Sequence, residues 1–359
     1  ATFSGLSAGS YTITVQDANG CQASVTATVT EPTPVVVSIT STVNVSCNGG
    51  SDGSVSVSAG GGTPGYQYSI NGGPWVGGPV GTHTFTGLSA GTYTITVQDA
   101  NGCQASVTAT VTEPTPVVVS ITSTVNVSCN GGSDGSVSVS AGGGTPGYQY
   151  SINGGPWVGG PVGTHTFTGL SAGTYTITVQ DANGCQASVT ATVTEPTPVV
   201  VSVTSVGDVS CNGGSDGSVS VNASGGTPGY QYSVNGGPWV GGPGGTHTFT
   251  GLSAGTYTIT VRDANGCQAS VTAVVTEPTA VVVSVSGVVN VSCNGGSDGS
   301  VSVSTSGGTP GYQYSINGGS WVGGPGGTYT FTGLPAGTYT ITVQDANGCQ
   351  ASTTVTVTE

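Results

Sequence analysis

The sequence predicts an all-β protein, and three observations carry that reading. The stretch from Leu88 to Cys103 recurs in near-identical copies beginning at Leu6, Leu170, Leu252 and Leu334, so that the five copies are evenly spaced along the chain. Within it Tyr93, Ile95 and Val97 alternate with Thr94, Thr96 and Gln98, the period of a strand with one face in a core and the other in water. The strand then enters Asp99-Ala100-Asn101-Gly102, where an Asp can bond the backbone ahead of it and Asn-Gly accepts the positive φ of a tight hairpin. Nothing in the chain reads as a helix.

Residues 1–31 match only the last part of this repeat, and four full copies follow over 32–113, 114–195, 196–277 and 278–359. So long a period marks an array of domains, since the units of solenoids run to about 20 to 50 residues. In the copy 32–113 the first strand is expected from Val35 to Val45, with Val35, Val37, Ile39, Val43 and Val45 on one face. Ser41 breaks that row, as suits a strand that crosses between sheets. Residues 47–53 are a loop. Val55, Val57 and Ala59 then mark a second strand, and Tyr66, Tyr68 and Ile70 a third, ended by a turn at Asn71-Gly72-Gly73-Pro74. Trp75-Val76 opens a Gly/Pro-rich segment read as irregular. Phe85 and Leu88 close the core before Tyr93, and Ala105, Val107, Ala109 and Val111 form the inward row of the last strand, which ends at Glu113-Pro114-Thr115-Pro116.

Leu-x-x-Gly-x-Tyr at the head of the Tyr93 strand resembles the tyrosine corner of immunoglobulin-like sandwiches, in which the Tyr hydroxyl bonds backbone a few residues earlier. Tyr11, Tyr175, Tyr257 and Tyr339 hold the same place. About seven strands in roughly 80 residues match such a sandwich. The position two after Tyr93 is Ile95, so the inter-sheet disulfide of antibody domains is absent. The expectation is a tandem array of immunoglobulin-like β-sandwiches with one disulfide per domain.

Composition narrows the function. The chain has one basic side chain, Arg262, against fifteen acids, with no Lys or Met and a formal net charge of -14. That argues against nucleic-acid partners and anionic membrane surfaces, both of which need clustered Lys and Arg. Its 65 glycines show no triplet period and are read as turn residues. No aliphatic run approaches the roughly 18 residues that span a membrane. The chain opens at Ala1 without an initiator methionine, and is therefore expected to belong to something longer.

Nine cysteines, from Cys21 and Cys47 to Cys293 and Cys349, alternate between a short gap and one about twice as long. Two pairings fit: Cys47 with Cys103 inside a copy, or Cys103 with Cys129 across a junction. If successive strands alternate in direction, the loops after strand one, strand three and the Tyr93 strand lie at one end, which places Cys47 beside Cys103. Cys103 and Cys129 are instead a domain apart, roughly 40 Å for a 13-residue strand at ~3.3 Å per residue, where a disulfide tolerates about 7 Å between Cα atoms. The expected bridges are Cys47–Cys103, Cys129–Cys185, Cys211–Cys267 and Cys293–Cys349, with the partner of Cys21 lying upstream. Such bridges imply an oxidising, extracellular compartment. Thiolate metal binding is disfavoured, because no Cys-x-x-Cys pair occurs.

The set Cys-x-Gly-x-x-Asp-Gly-Ser (47–54), Gly-Gly-Thr-Pro-Gly-Tyr-x-Tyr-Ser (61–69) and Gly-Leu-x-Ala-Gly-Thr-Tyr-x-Ile-x-Val-x-Asp-Ala-Asn-Gly-Cys (87–103) resembles the SprB repeat. The resemblance covers all four copies and the partial first one. It implies a giant surface adhesin of gliding Bacteroidetes and their relatives, exported by the type IX route and carried along the cell surface. No sorting domain or dedicated ligand-binding domain is recognised in this sequence.

Asp52, Asp99 and Asn101 lie on loops read as sharing the disulfide end, and Asp99-Ala100-Asn101-Gly102 faintly resembles a calcium loop, but the EF-hand spacing is missing and turn capping explains them. No cofactor is expected beyond calcium at these loops. Trp75 with Tyr66 and Tyr68 suggests a sugar-stacking platform, against which the alternation places the tyrosines in the core and Trp75 over a Gly-rich edge. The Thr94/Thr96 and Thr108/Thr110 rows suit the wet face of a strand better than an ice-binding face. Asn44-Val45-Ser46 and Asn222-Ala223-Ser224 fit the glycosylation sequon, read as accidental. No nucleophile has a base: His83 becomes Tyr329 in the last copy, so no enzyme is expected. The reading is a structural or adhesive extracellular fibre whose partners are further repeats, upstream and lateral, and a surface or glycan target; the alternative is a multivalent carbohydrate- or calcium-binding module.

Overall fold

A computed structural model describes residues 1–78, 81–160 and 163–359. Two compact units are present, one of Ala1–Val125, Ser136–Gly169 and Gly173–Val193, the other of Asn126–Gly135, Leu170–Ala172 and Thr194–Glu359. No helix among the described residues is long and apolar enough to cross a membrane.

Residues 1–31 contribute one hairpin, β1 (Gly9–Gln16) with β2 (Gln22–Val29), in antiparallel register from Gly9↔Val29 to Gln16↔Gln22. Among the described residues the copy 32–113 has seven strands: β3 (Val36–Val43), β4 (Gly53–Gly60), β5 (Gln67–Ile70), β6 (Val76–Gly77), β7 (Thr82–Leu88), β8 (Gly91–Gln98) and β9 (Gln104–Val111). They form a three-stranded sheet in the order β3-β4-β7 and a four-stranded sheet in the order β6-β5-β8-β9, and both orders recur in the three later copies. This is the immunoglobulin-like sandwich that the alternation predicts.

The core lies between the two sheets. Val55 and Val57 of β4 face Tyr68 of β5, Ile95 and Val97 of β8, and Ala109 and Val111 of β9, all buried, with Val45 closing one end. Full burial of a Val or Ile side chain is worth about 1.5–3 kcal/mol, so the period-2 apolar rows are what holds the two sheets together. The corresponding residues around Val219, Tyr232 and Ile259, and around Val301, Tyr314 and Ile341, make the cores of the last two copies.

Two features of the chain path depart from the expected one. In β3 the register jumps from Ile39↔Val57 to Ser41↔Ser56. That bulge turns Val43 outward, 54% exposed, where an inward position was expected. Beyond it the chain leaves β4: the Val45 amide donates to Thr112 O at 2.9 Å, the Thr112 amide donates to Asn44 Oδ1 at 3.0 Å, and β3 runs beside β9 in the same direction. The crossing between sheets is therefore real, and the bulge enables it.

The second departure is β6. Val76–Gly77 belong to the segment expected to be irregular, yet they pair with Gln67 and Tyr68. The turn before them is the cause. Asn71 and Gly72 both take positive φ, 49° and 70°, and the Gly73 amide donates to Ile70 O at 2.9 Å, so the chain must double back. This extra reversal makes the Tyr93 strand, β8, the sixth strand and not the fifth. Its following hairpin consequently sits at the opposite end of the copy from the loop after β3.

Candidate functional site

The consequence falls on the cysteines. Cys47 lies beyond the C-terminal end of β9 and Cys103 before its N-terminal end, about 26 Å apart along eight residues of strand. The expected bridges Cys47–Cys103, Cys129–Cys185, Cys211–Cys267 and Cys293–Cys349 are therefore not formed. The bridges found are Cys47–Cys185, Cys129–Cys267 and Cys211–Cys349, each with Cα atoms 5.6 Å apart and each with a sequence separation of 138. Each ties the loop after the first strand of one copy to the last hairpin of the next, so no copy has a bridge of its own. Each lies inside one compact unit. Cys21, Cys103 and Cys293 are exposed free thiols.

The loop half of this junction is built on an acid. Asp52 Oδ1 accepts from the Ser46 amide at 3.0 Å and Oδ2 from Ser46 Oγ at 2.5 Å, which closes the loop around Cys47. The same loop clamps the connection to the next copy: the Gly49 amide donates to Glu113 Oε2 at 2.6 Å and Asn48 Nδ2 to Pro114 O at 3.1 Å. From the other side the Gly144 amide donates to Thr115 O at 2.8 Å. The Glu-Pro-Thr-Pro linker is thus held on both flanks by hydrogen bonds. Glu195, Pro196, Glu277 and Pro278 repeat the first clamp.

The hairpin half is built on a second acid. Asp99 is buried, its Oδ1 accepting from the Asn101 and Cys103 amides at 2.9 and 2.8 Å and its Oδ2 from the Thr63 amide at 2.9 Å. Gly102 takes positive φ, 83°, while Asn101 does not, so the turn is not the paired positive-φ type that Asn-Gly suggested. The equivalent of Asn101 in the next copy reaches across: Asn183 Nδ2 donates to Ser46 O at 3.1 Å, beside the Cys47–Cys185 bridge. Asn265 to Ser128 and Asn347 to Ser210 repeat the bond. In the last junction a crevice of about 270 Å³ opens beside the bridge, lined by Cys211, Pro278, Val281, Gly308 and Cys349.

These bonds recast the calcium candidates. Asp52 and Asp99, expected at one end of the copy, lie at opposite ends, and their oxygens are engaged in holding the two cysteine-bearing loops. The hydrogen bond from the Ser46 hydroxyl, and then that from its amide, holds the Asp52 carboxyl below its ordinary pKa of 3.8. Asp134, Asp216 and Asp298 are lowered in the same way by Ser128, Ser210 and Ser292. Asp99 is lowered first by the Thr63 amide, then by the amides of its own turn, against a burial that opposes them. A folded-state pKa below the unfolded one contributes stability that is present above about 3.8 and lost as pH falls through the depressed value. The melting midpoint of the oxidised chain is expected to stay level from pH 7 to 5 and to fall below pH 4. A midpoint that rises on acidification would contradict the role given to these acids.

The tyrosine corners form as the sequence predicts. Tyr11, Tyr93 and Tyr257 donate to the carbonyls of Ser7, Ser89 and Ser253 at 2.7–2.9 Å, and Tyr339 donates to that of Pro335 at 2.7 Å. Tyr175 occupies the matching position. His83 stacks on Tyr68 at 5.3 Å, and Tyr329 fills the same slot on Tyr314 at 5.4 Å. The histidine position is therefore an aromatic packing site.

Tyr68 is wholly buried, as expected, and Trp75, Trp157 and Trp321, read as lying over a Gly-rich edge, are each 38% exposed. In the remaining copy Arg262 lies over the Trp239 ring at 4.3 Å, with its Nε donating to Gln231 Oε1 at 2.8 Å. The other copies carry Gln at the Arg262 position, and there Gln98 Nε2 donates to Gln67 Oε1 at 2.7 Å. A glycine-rich cleft lies nearby on the same sheet edge, about 530 Å³ in the last copy between Tyr312, Gln313, Gly323 and Gly327.

The fold thus defines a class, tandem immunoglobulin-like sandwiches covalently joined copy to copy. Within that class the SprB repeat matches residues 39–74, 121–156, 203–238 and 283–320, about two-fifths of the chain. No curated protein is a match. Among solved structures the chain is similar to invasin, a bacterial integrin-binding protein, at 15% identity over 90% of this chain and 79% of that one, with a TM-score of 0.36. It is also similar to the N-terminal eight immunoglobulin domains of Down Syndrome Cell Adhesion Molecule, at 15% identity over 98% and 51%, TM-score 0.28. The human desmocollin-1 ectodomain is similar at 13% identity over 97% and 85%, TM-score 0.25. The chain spans about half the length of the eight-domain fragment. At such identities the likeness is one of fold alone.

Proposed function

We propose that this chain is a stretch of an extracellular, cell-surface adhesin of the SprB type, exported by the type IX route and serving attachment or gliding, with its repeats acting as a structural spacer rather than as an enzyme. The observation that carries the proposal is the bridged junction. Copies that need an oxidising compartment to be joined belong outside the cytoplasm, and joining them adds no reactive group. Labelling intact cells of the source organism with antibody raised against the chain tests it. Surface label removed by protease shaving, with loss of attachment or spreading in a strain lacking the repeats, is the expected result; label confined to the cytoplasm would overturn it.

The exposed tryptophans favour a second reading, a weak carbohydrate-binding face repeated for avidity. An indole beside amide side chains is an amphipathic surface of the kind that recognises sugars. On this reading the chain is retained on a glycan surface, and the combined substitution Trp75→Ala, Trp157→Ala and Trp321→Ala abolishes retention with little change in melting midpoint. Absence of retention of the unaltered chain across a glycan array would remove this reading and leave the spacer.

A further inference from the structure

We infer that the copy-to-copy bridges make this stretch a redundant tension member, in which two covalent paths run along the array and no single break in the backbone between Cys47 and Cys349 parts the chain. This goes beyond the adhesive reading and holds whether or not the surface binds a target.

The inference follows from connectivity. The hairpin cysteine of one copy is joined by a short run of backbone to the loop cysteine of the next, and the bridge at that loop leads on to a hairpin one copy further. One path runs from Cys21 along the backbone to Cys47, over the bridge to Cys185, along the backbone to Cys211, and over the bridge to Cys349. The other runs from Cys103 to Cys129, over the bridge to Cys267, and on to Cys293. Each short run consists of the last strand of one copy, the clamped linker and the first strand of the next. Every copy is therefore crossed by its first strand in one path and its last strand in the other. In the copy 32–113 these are β3 and β9, which lie side by side and point the same way.

Pairing within each copy would have made a single path, broken by any cut in a linker. The pairing observed overlaps: 47–185, 129–267 and 211–349 together span every bond from 47 to 349. A cut at 112 leaves the Cys47–Cys185 bridge intact across it, and a cut at 196 leaves Cys129–Cys267.

The strands β4 to β8 lie off both paths. The segments under tension also have little slack, since most of the backbone between Cys267 and Cys293 is already extended in the strands Gln268–Val275 and Val282–Val289. Unbridged, the whole chain extends to roughly 1,250 Å at about 3.5 Å per residue. With the bridges, the shortest covalent route from Ala1 to Glu359 takes the backbone to Cys47, then from Cys185 to Cys211, then from Cys349 to the end. That route is about 82 residues, or roughly 290 Å at the same rise.

Two measurements on the full chain test this. Pulled by its termini under non-reducing conditions, the oxidised chain is expected to reach a contour length of roughly 290 Å and to lengthen about fourfold when reductant is added. Extension to the unbridged length without reductant would overturn the inference. In the second, the recognition sequence of a site-specific protease is inserted after Pro196 and the purified chain is cut there. A single species on a non-reducing gel, separating into two on reduction or in the Cys267→Ser background, is expected. Two species without reductant would mean that no bridge spans the cut. If the insertion disturbs folding, non-reducing peptide mapping of the unaltered chain decides, with Cys129 linked to Cys267 in support and Cys129 linked to Cys185 against.

Discussion

Reduction of the three bridges is expected to lower the thermal midpoint of the chain by about 20 °C or more. Each bridge has a sequence separation of 138, and on the loop-entropy account closing so long a loop constrains the unfolded chain by about 5 kcal/mol. For domains of roughly 80 residues, 1 kcal/mol shifts the midpoint by about 4–8 °C. The bridges also couple neighbours, because a copy that unfolds alone leaves its bridged partner holding a closed loop. Calorimetry of the oxidised chain should therefore show broad cooperation between copies, and reduction should resolve it into lower, more independent transitions. The double variant Cys47→Ser, Cys185→Ser should lower the transition of the first copies and leave the Cys211–Cys349 junction unchanged. Equal midpoints with and without reductant would show that the bridges do not constrain the unfolded state.

Replacing Tyr232 separates packing from hydrogen bonding in the core. Its ring is wholly buried, stacks on His247 at 5.4 Å and sits among Val219, Val221, Ile259 and Val261. Among the described residues its hydroxyl has no hydrogen-bond partner, and burial raises its pKa. Tyr232→Ala removes the largest side chain of that core and is expected to cost about 3–5 kcal/mol. Tyr232→Phe removes only the unbonded hydroxyl and is expected to be neutral or stabilising by on the order of 1 kcal/mol. Urea denaturation of the three chains reads both effects. A loss of more than about 1 kcal/mol in Tyr232→Phe would mean that the phenol is bonded after all.

The contrast between Tyr232 and Cys47 shows what kind of information the chain holds locally. The tyrosine's place follows from alternation with Gln231 and Ser233, a relation between neighbours. The partner of Cys47 follows from the number of times the chain reverses before the hairpin, and a two-residue strand decides that number. The signal for it was present in Asn71-Gly72, a turn that obliges the next residues to return alongside Gln67 and Tyr68. Once β6 is counted, Cys103 moves to the far end of its copy. Cys103 and Cys129 are not joined, and the cysteine that meets Cys47 lies one copy further along.

Local pattern by itself determined the all-β class, the repeat period, the inward rows of β4, β5, β8 and β9, and the tyrosine corners. In each of these the physics acts over a few residues or repeats without change. Tertiary structure alone decided the bulge that turns Val43 outward, the exposure of Trp75, the separation of Asp52 from Asp99, and the joining of the copies. A strand's face is set by its own sequence, whereas the end of the sandwich at which a loop emerges depends on the parity of every strand before it. A disulfide forms only where two such ends meet within about 7 Å, and here they meet between one copy and the next.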